Sequence, residues 1–145
     1  MKLKVMLDKG AIMPTRAHST DAGLDLYSPI DTCVPAKWDG VYVGCVSIDT
    51  GVHIEIPAGY VGMIKSKSGL NVKYHITSEG VIDAGYTGSM VVKLYNHGVT
   101  DLHIKKGQKI SQLVLLPIIT PDLEVVDSLE DTERGNGGFG STGNF

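Results

Sequence analysis

GVHIEIPAGYVGMIK, residues 51–65, shows a pattern of short strands and tight turns that recurs along the chain. Two apolar segments, Gly51–Ile56 and Tyr60–Lys65, are rich in Val, Ile and Tyr, and Pro57-Ala58-Gly59 separates them. Runs of this length bounded by turn residues are typical of β-strands joined by turns. Helical periodicity is almost absent elsewhere, so the sequence predicts an all-β sandwich or barrel.

The same pattern extends in both directions from this segment. Further candidate strands are Lys2–Leu7, Val41–Ile48, Val81–Ile82, Ser89–Tyr95, Ile110–Pro117 and Leu123–Asp127. Turn residues predict reversals of the chain at Asp39-Gly40, Asp49-Thr50-Gly51 and Lys106-Gly107. Ser66–Lys73 interrupts the strand pattern and predicts a short helical turn. A helix start there could hold phosphate, and the alternative is a solvated loop.

Composition limits the class of protein. The 145 residues are enough for one domain with a real core, since 42% are hydrophobic. The net charge of −3 disfavours extended nucleic acid as a partner. No apolar run approaches the ~20 residues of a membrane span, and the N-terminus lacks the apolar core of a signal peptide. We therefore predict a cytoplasmic protein with no membrane partner.

The C-terminal residues RGNGGFGSTG, 134–143, contain five glycines in ten positions. Glycine loses much backbone entropy on ordering, so this segment is unsuited to a packed strand or helix. It also carries an arginine, a phenylalanine and two adjacent hydroxyls, which can hold an anion and stack on a flat ring. The segment predicts a lid that orders over a nucleotide, and a disordered Gly-rich tail is the alternative.

Two aspartates are candidates for chemistry. Asp83 stands where an apolar run ends, and its ionised carboxylate could orient a water molecule and take its proton. The alternative is an aspartate that caps a turn. Asp25 could be a buried residue that fixes its loop. The cysteines and histidines show no spacing typical of a protein-only metal site.

Five segments occur in an order and spacing that resemble one known family. They are DAGLDL (21–26), KSGL (67–70), GVIDAGYTG (80–88), GQKISQL (107–113) and RGNGGFGSTG (134–143). The chain resembles the homotrimeric deoxyuridine triphosphatase (dUTPase) family over nearly its whole length. The resemblance implies a β jelly-roll, or distorted β-barrel, over residues 1–128. Residues 129–145 would form a flexible arm that closes over the active site.

The resemblance also implies a reaction, the hydrolysis of dUTP to dUMP and pyrophosphate, which keeps uracil out of DNA and supplies dUMP for thymidylate synthesis. Asp83 would activate the attacking water and contact the sugar 3′-hydroxyl. Tyr86 would pack against the deoxyribose and leave no room for a 2′-hydroxyl. The backbone of Gly80, Val81 and Ile82, with that near Val91, would read the uracil edge.

The other matching residues are expected to bind the triphosphate and to close the site. Ser68 and the Gly69 backbone would hold phosphate, Gln112 would donate to a phosphate, and Lys67 replaces the family's usual arginine. The arm residues Arg134, Ser141 and Thr142 would meet the terminal phosphate, and Phe139 would stack over the uracil. Thr77 and Gly138 complete the predicted substrate-binding set. Two further departures from the family pattern are Asn71 and Gln108-Lys109.

Mg²⁺ is the expected cofactor, held mainly by the phosphates, with Asp25 acting through water. A homotrimer is the expected assembly, in which each active site takes motifs from three chains. Two alternatives remain open from the sequence. One is dCTP deaminase, which shares the fold but usually has a longer chain and lacks the glycine-rich arm. The other is a dUTPase-like module that binds protein partners, for which Ala36–Ser47 is the candidate surface.

Overall fold

The structure is a computed structural model that describes residues 2–37 and 42–138. Within them the chain forms eleven strands and one short helix. In chain order the elements are β1 (Val5–Leu7), β2 (Gly23–Tyr27), β3 (Thr32–Val34), β4 (Gly44–Asp49), β5 (Val52–Ile54), β6 (Tyr60–Ser66), α1 (Ser68–Tyr74), β7 (Ile76–Thr77), β8 (Glu79–Ile82), β9 (Val91–Asn96), β10 (Leu102–Ile104) and β11 (Lys109–Pro117).

The strands pair in two larger sheets and two short ribbons. The four-stranded sheet has the order β2-β11-β6-β8, and the three-stranded sheet has the order β4-β9-β7. β1 pairs with β5, and β3 pairs with β10. All of these pairs are antiparallel. β11 is central in its sheet because it pairs with β2 on one side and with β6 on the other.

Alternate residues of the strands build one apolar core. Fully buried members come from nearly every strand and include Leu26, Val34, Ile48, Ile64, Val92, Leu94, Ile104 and Leu113. In β9 the alternation is clear, since Val92 and Leu94 are buried while Val91 and Lys93 are exposed. Such alternation is expected where one sheet face packs inward and the other faces outward.

Most of the predicted strands are confirmed. Strands occur within or across seven of the predicted segments, and the turns at Pro57–Gly59, Asp49–Gly51 and Lys106-Gly107 are present with glycine at positive φ. The predicted turn at Asp39-Gly40 lies outside the described residues. Four strands were not predicted, namely β2, β3, β7 and β10. Three of these have only two or three residues, too few for a pattern to show.

One predicted strand is wrong for the single chain. Leu123–Asp127 forms no strand, and Leu123 and Val125 are 96% and 98% exposed. The segment does have apolar residues at alternate positions, but a strand exists only where another strand pairs with it. No strand in the described part of this chain lies beside it.

The predicted helical turn is confirmed as α1. The helix begins after Lys67, and His75 ends it in the left-handed conformation with φ of 57°. The His75 amide donates to the carbonyls of Asn71 and Leu70, which satisfies two groups of the last turn. Over the described residues, the chain has no helix with the length and apolar character needed to cross a bilayer.

Leu113 tests the core. It is 0% exposed in the central strand β11, so Leu113→Ala should lower the free energy of unfolding by about 2–5 kcal/mol. Leu116 lies on the same strand and is 46% exposed, so Leu116→Ala should cost clearly less. Urea unfolding of both variants at one protein concentration measures the difference. Equal losses would show that β11 does not carry the core as described.

Candidate active site

The first group of predicted site residues lies at the end of β8, and we call it the Asp83 cluster: Gly80, Val81, Ile82, Asp83, Tyr86 and Val91. Asp83 follows β8 directly and is exposed. It lines a pocket of ≈ 240 Å³ together with residues from β8, the following turn and β9. Val81, Ile82, Asp83, Tyr86 and Val91 thus line one pocket, and their roles toward a substrate stay predictions.

A tight turn after β8 positions both Asp83 and Tyr86. The Tyr86 amide donates to the Asp83 carbonyl at 3.2 Å, and Gly85 between them has φ of 90°, which favours glycine. The Tyr86 hydroxyl donates to the Ser89 carbonyl at 2.9 Å, while 45% of the residue stays exposed. The ring therefore lies folded back along its own turn with a face open to the pocket.

Two side chains anchor this turn to the neighbouring β4–β5 region. The Ser89 hydroxyl donates to the Asp49 carboxylate, which also accepts from the Gly51 amide at 3.0 Å. These hydrogen bonds hold the pKa of Asp49 below its ordinary value, and the bond from Ser89 has the largest effect. His53 makes the second anchor, with Nδ1 at 2.8 Å from the Thr87 carbonyl.

The contacts of His53 favour its charged form. Nε2 lies 3.2 Å from an Asp8 carboxylate oxygen, and Nδ1 faces the Thr87 carbonyl oxygen. Both oxygens only accept hydrogen bonds, so the two contacts are both hydrogen bonds when both ring nitrogens carry a proton. The hydrogen bond to Thr87, then that to Asp8, raises the pKa of His53. A cationic imidazole therefore ties β5 to the turn that carries Asp83.

The second group lies around a buried carboxylate, and we call it the Asp25 cluster: the predicted residues Asp25, Lys67, Ser68 and Gln112, together with Lys109, which was not predicted to belong to the site. Asp25 is 4% exposed. Lys67 Nζ lies 2.5 Å from one carboxylate oxygen, and Lys109 Nζ lies 2.7 Å from the other. Lys67 follows β6 and Lys109 begins β11, so the sheet order β2-β11-β6 brings all three groups together.

The two lysines decide the ionisation of Asp25. Burial alone would raise the pKa of this carboxyl, but the hydrogen bonds and charges of Lys109 and Lys67 outweigh burial, and the pKa lies below its ordinary value. In return, the carboxylate raises the pKa of Lys109. Asp25 is therefore a buried carboxylate paired with two lysines, and its role near a bound metal stays a prediction.

Ser68 and Gln112, with the neighbouring Gly69, add hydrogen-bond donors to the cluster. Ser68 and Gly69 are exposed in the first turn of α1, and the first hydrogen bond of that helix runs from Asn71 to Lys67. The amides of the first turn thus lack acceptors within the helix. Gln112 Nε2 donates to the Ser66 carbonyl at 3.0 Å, which leaves its second N–H for another acceptor.

The strand register keeps the two clusters apart in one chain. Ile82, next to Asp83, pairs with Gly62 of β6, whereas Ser66, next to Lys67, pairs with Ser111 beside Gln112. The step from position 62 to position 66 along β6 corresponds to about 13 Å of extended strand. The Asp83 cluster and the Asp25 cluster therefore lie at opposite ends of the same sheet.

The remaining predicted residues occupy other places. Thr77 lies in β7, and its hydroxyl is hydrogen-bonded to His97 Nε2 at 2.8 Å. Arg134 is exposed and donates from Nε to the Gly137 carbonyl at 3.1 Å, next to the exposed Gly138. Among the described residues, neither Arg134 nor Gly138 forms a hydrogen bond with a member of either cluster. Phe139, Ser141 and Thr142 lie outside the described residues.

The described residues offer no group of three or more His, Cys, Asp and Glu side chains that could hold a metal ion. Asp25 is the one carboxylate that the sequence linked to a metal, and a lysine already contacts each of its oxygens. A carboxylate has about four lone-pair sites, so room for a hydrogen-bonded water remains. The Asp25 carboxylate therefore fits a cation that already carries other ligands and that it contacts through water.

Sequence reasoning missed three residues that shape the site. Lys109 was noted only as a departure from a family pattern, and its contact with Asp25 depends on a pairing of β2 with β11. His53 stands between two buried residues of β5, Val52 and Ile54, and this alternation was the only available signal. Gly88 ends the motif GVIDAGYTG (80–88), but no role was predicted for it.

Comparison with known proteins places the chain in a family. A family model described as dUTPase matches residues 9–143. The deoxyuridine 5′-triphosphate nucleotidohydrolase of Gloeothece citriformis is 43% identical over 147 residues, covering 99% of this chain and 97% of that protein. The chain belongs to the dUTPase family, and the predictions of the family and of its jelly-roll fold are confirmed.

Solved structures agree with this assignment. A dUTPase of Staphylococcus bacteriophage 80alpha with dUpNHpp is similar with a TM-score of 0.87 at 34% identity, covering 98% of both chains. A mutant dUTPase of phage phi11 of S. aureus has a TM-score of 0.80 at 31% identity, covering 90% of this chain and 100% of that chain. The latter structure concerns the coordination of a structural Mg(II) ion.

The His53 anchor predicts a pH dependence of stability. A raised folded-state pKa stabilises the fold below the ordinary value near 6.5, and this contribution is lost as pH rises through the folded-state pKa. The difference in free energy of unfolding between wild type and His53→Gln should therefore be largest near pH 5.5 and shrink towards pH 8.5. Urea unfolding at several pH values measures it. A difference that does not change with pH would contradict the charged anchor.

Proposed function

We propose that this chain hydrolyses dUTP to dUMP and pyrophosphate, as a dUTP diphosphatase, with Asp83 as the group that activates water. Membership of the dUTPase family over residues 9–143 is the observation that carries the reaction. The pocket beside Asp83 and Tyr86 supports the assignment of roles. No observation on residues 2–37 and 42–138 favours a deaminase or a protein-binding module instead.

Asp83 is suited to a general base because of where it stands. Its carboxylate follows the last residue of β8 and is exposed to the pocket, within a turn that is anchored by His53 and Asp49. A rigid turn holds the carboxylate in a fixed direction, which is what positioning a water molecule requires. Asp83 would orient the water toward the α-phosphorus and accept its proton as the oxygen–phosphorus bond forms.

The base and the sugar would bind along β8. This strand lies at the edge of its sheet, so backbone groups on its outer side have no partner strand there. Those of Gly80, Val81 and Ile82, with the backbone near Val91, would form hydrogen bonds with the uracil edge. Tyr86 would pack on the deoxyribose and exclude a 2′-hydroxyl.

The triphosphate would bind at the Asp25 cluster. Lys67 and Lys109 bring two positive charges and Asp25 offsets one, so a net positive charge remains. Ser68 Oγ, the amides of the first turn of α1 and the second N–H of Gln112 are the further donors. Phosphoryl transfer relies on such positioning and charge neutralisation rather than on covalent chemistry by the protein.

Mg²⁺ fits this arrangement as a cation carried by the triphosphate. Phosphate oxygens and water are its usual ligands in nucleotide sites, and when bound it would offset the negative charge of the triphosphate. Asp25 would act on that ion only through water, since lysines occupy both of its oxygens. Thr77, whose hydroxyl is hydrogen-bonded to His97, would contact the substrate at the edge of its site.

A homotrimer would bring the Asp83 cluster of one chain next to the Asp25 cluster of another, whereas within one chain the two clusters lie about 13 Å apart along β6. The C-terminal segment supports such an assembly, because Ile119, Leu123, Val125 and Leu129 are 86–98% exposed. Apolar exposure on this scale is typical of a surface that a partner covers.

Residues 129–145 would form the arm of the third chain. Arg134, Ser141 and Thr142 would bind the terminal phosphate, Phe139 would stack on the uracil, and Gly138 would allow close approach. Arginine matches phosphate with two parallel hydrogen bonds, and closure of an arm would exclude bulk water. We place the enzyme in the cytoplasm, where it would keep uracil out of DNA and supply dUMP for thymidylate synthesis.

Asp83→Asn tests the assigned base. The amide keeps the shape of the turn but cannot take a proton, so kcat should fall by about 10²–10⁴-fold while binding of dUpNHpp is retained. Pyrophosphate release from dUTP, dCTP, dTTP and UTP, with and without Mg²⁺, measures the reaction and its substrate. Near-normal turnover by Asp83→Asn would end the assignment, and wild-type release without preference for dUTP would end the proposed function.

Deletion of Arg134–Phe145 tests the arm. The truncated protein should remain a folded trimer, because the core lies within β1–β11, but should hydrolyse dUTP poorly. Removal of residues 144–145 alone is the matched control and should leave hydrolysis near wild type. Sedimentation equilibrium gives the assembly, and pyrophosphate release gives the activity. Full activity of the longer truncation would show that the arm takes no part in the reaction.

A further inference from the structure

Gly88 lies against the hydroxyl end of the Tyr86 ring. A Cβ at position 88 would lie 2.4 Å from the Tyr86 hydroxyl oxygen, 2.6 Å from Cζ and 3.0 Å from Cε2. Real carbon atoms do not approach a ring this closely without displacing it. The present position of Tyr86 is therefore compatible only with a residue that has no side chain at position 88.

The backbone at Gly88 does not itself require glycine. Gly85, three residues earlier, has a positive φ, but Gly88 is not among the described glycines with positive φ. Alanine could adopt the same backbone conformation without strain. The need for glycine at position 88 thus comes from the Tyr86 ring.

The residues on both sides of Gly88 are fixed to the sheet. The Thr87 carbonyl accepts from His53, and the Ser89 hydroxyl donates to Asp49. The Ser89 carbonyl also holds the Tyr86 hydroxyl at 2.9 Å. A methyl group at position 88 would therefore move the half-exposed ring more readily than the anchored backbone.

We infer that Gly88 is a positioning residue for sugar specificity, because it sets the depth at which the Tyr86 ring lies against the nucleotide. This inference rests on the proposed function, in which Tyr86 excludes a 2′-hydroxyl. Restoring ordinary van der Waals distance to a methyl group shifts the ring edge by about 1 Å. A shift of that size is comparable to the space that separates a 2′-hydrogen from a 2′-hydroxyl.

The test compares dUTP with UTP. Gly88→Ala and Gly88→Ser should lower the ratio of kcat/KM for dUTP over UTP by about tenfold to a hundredfold. Tyr86→Ala removes the ring and should lower the ratio at least as much. Thr87→Ala changes an exposed side chain of the same turn but keeps the anchoring carbonyl, so it should retain the wild-type ratio. A general loss of stability would lower both activities and leave their ratio unchanged.

The outcomes separate the inference from the proposed function. If wild type prefers dUTP and Tyr86→Ala loses that preference, an unchanged ratio in the folded Gly88 variants overturns the role of Gly88. An unchanged ratio in Tyr86→Ala overturns the role of the ring and the inference with it. A wild-type protein that does not hydrolyse dUTP overturns the proposed function itself. Thermal unfolding followed by circular dichroism shows which variants are folded, and a Gly88→Ala protein that does not fold also overturns the inference, because the anchored backbone rather than the ring would then have yielded.

Discussion

The pairing of β11 between β2 and β6 is the constraint on which the rest of the structure depends. It buries Leu113 at the centre of the core and aligns Gln112 with both Asp25 and Lys65. It also brings Lys109 to the carboxylate that Lys67 reaches from the other side. Through β6 the same pairing sets the position of β8 and so of Asp83. A slip by one residue would exchange the buried and exposed faces and separate these groups.

Asp25 shows how a polar group is kept in the interior. A buried carboxylate without partners would be costly, and two lysines compensate for it here. Both lysines stand at positions where this sequence departs from the pattern of the family it resembles, and they contact the same residue. The two departures that looked independent in the sequence are therefore one local feature. Each ammonium is a compact donor, so two lysines can share a carboxylate that a single planar guanidinium could bind with two hydrogen bonds.

Local features of the site could be predicted from the sequence, and contacts between distant segments could not. The Asp83–Tyr86 turn follows from a strand that ends at a glycine-containing segment, and α1 follows from a break in alternation. The contact of Lys109 with Asp25 joins residues far apart in sequence, so only the pairing of β2 with β11 creates it. His53 and Gly88 were missed because their importance comes from what lies next to them in space. Leu123–Asp127 was misassigned because alternation alone cannot supply a partner strand.

The central claim is that the Asp83 cluster and the Asp25 cluster of one chain serve different active sites. Complementation tests it most directly. Asp83→Asn disables one cluster, and the double variant Ser68→Ala/Gln112→Ala disables the other. Unfolded together and refolded as a mixture, the two inactive proteins should regain about a quarter of the wild-type activity per site, as random assortment in a symmetric trimer predicts. A mixture no more active than its separate components would show that the clusters do not combine across chains.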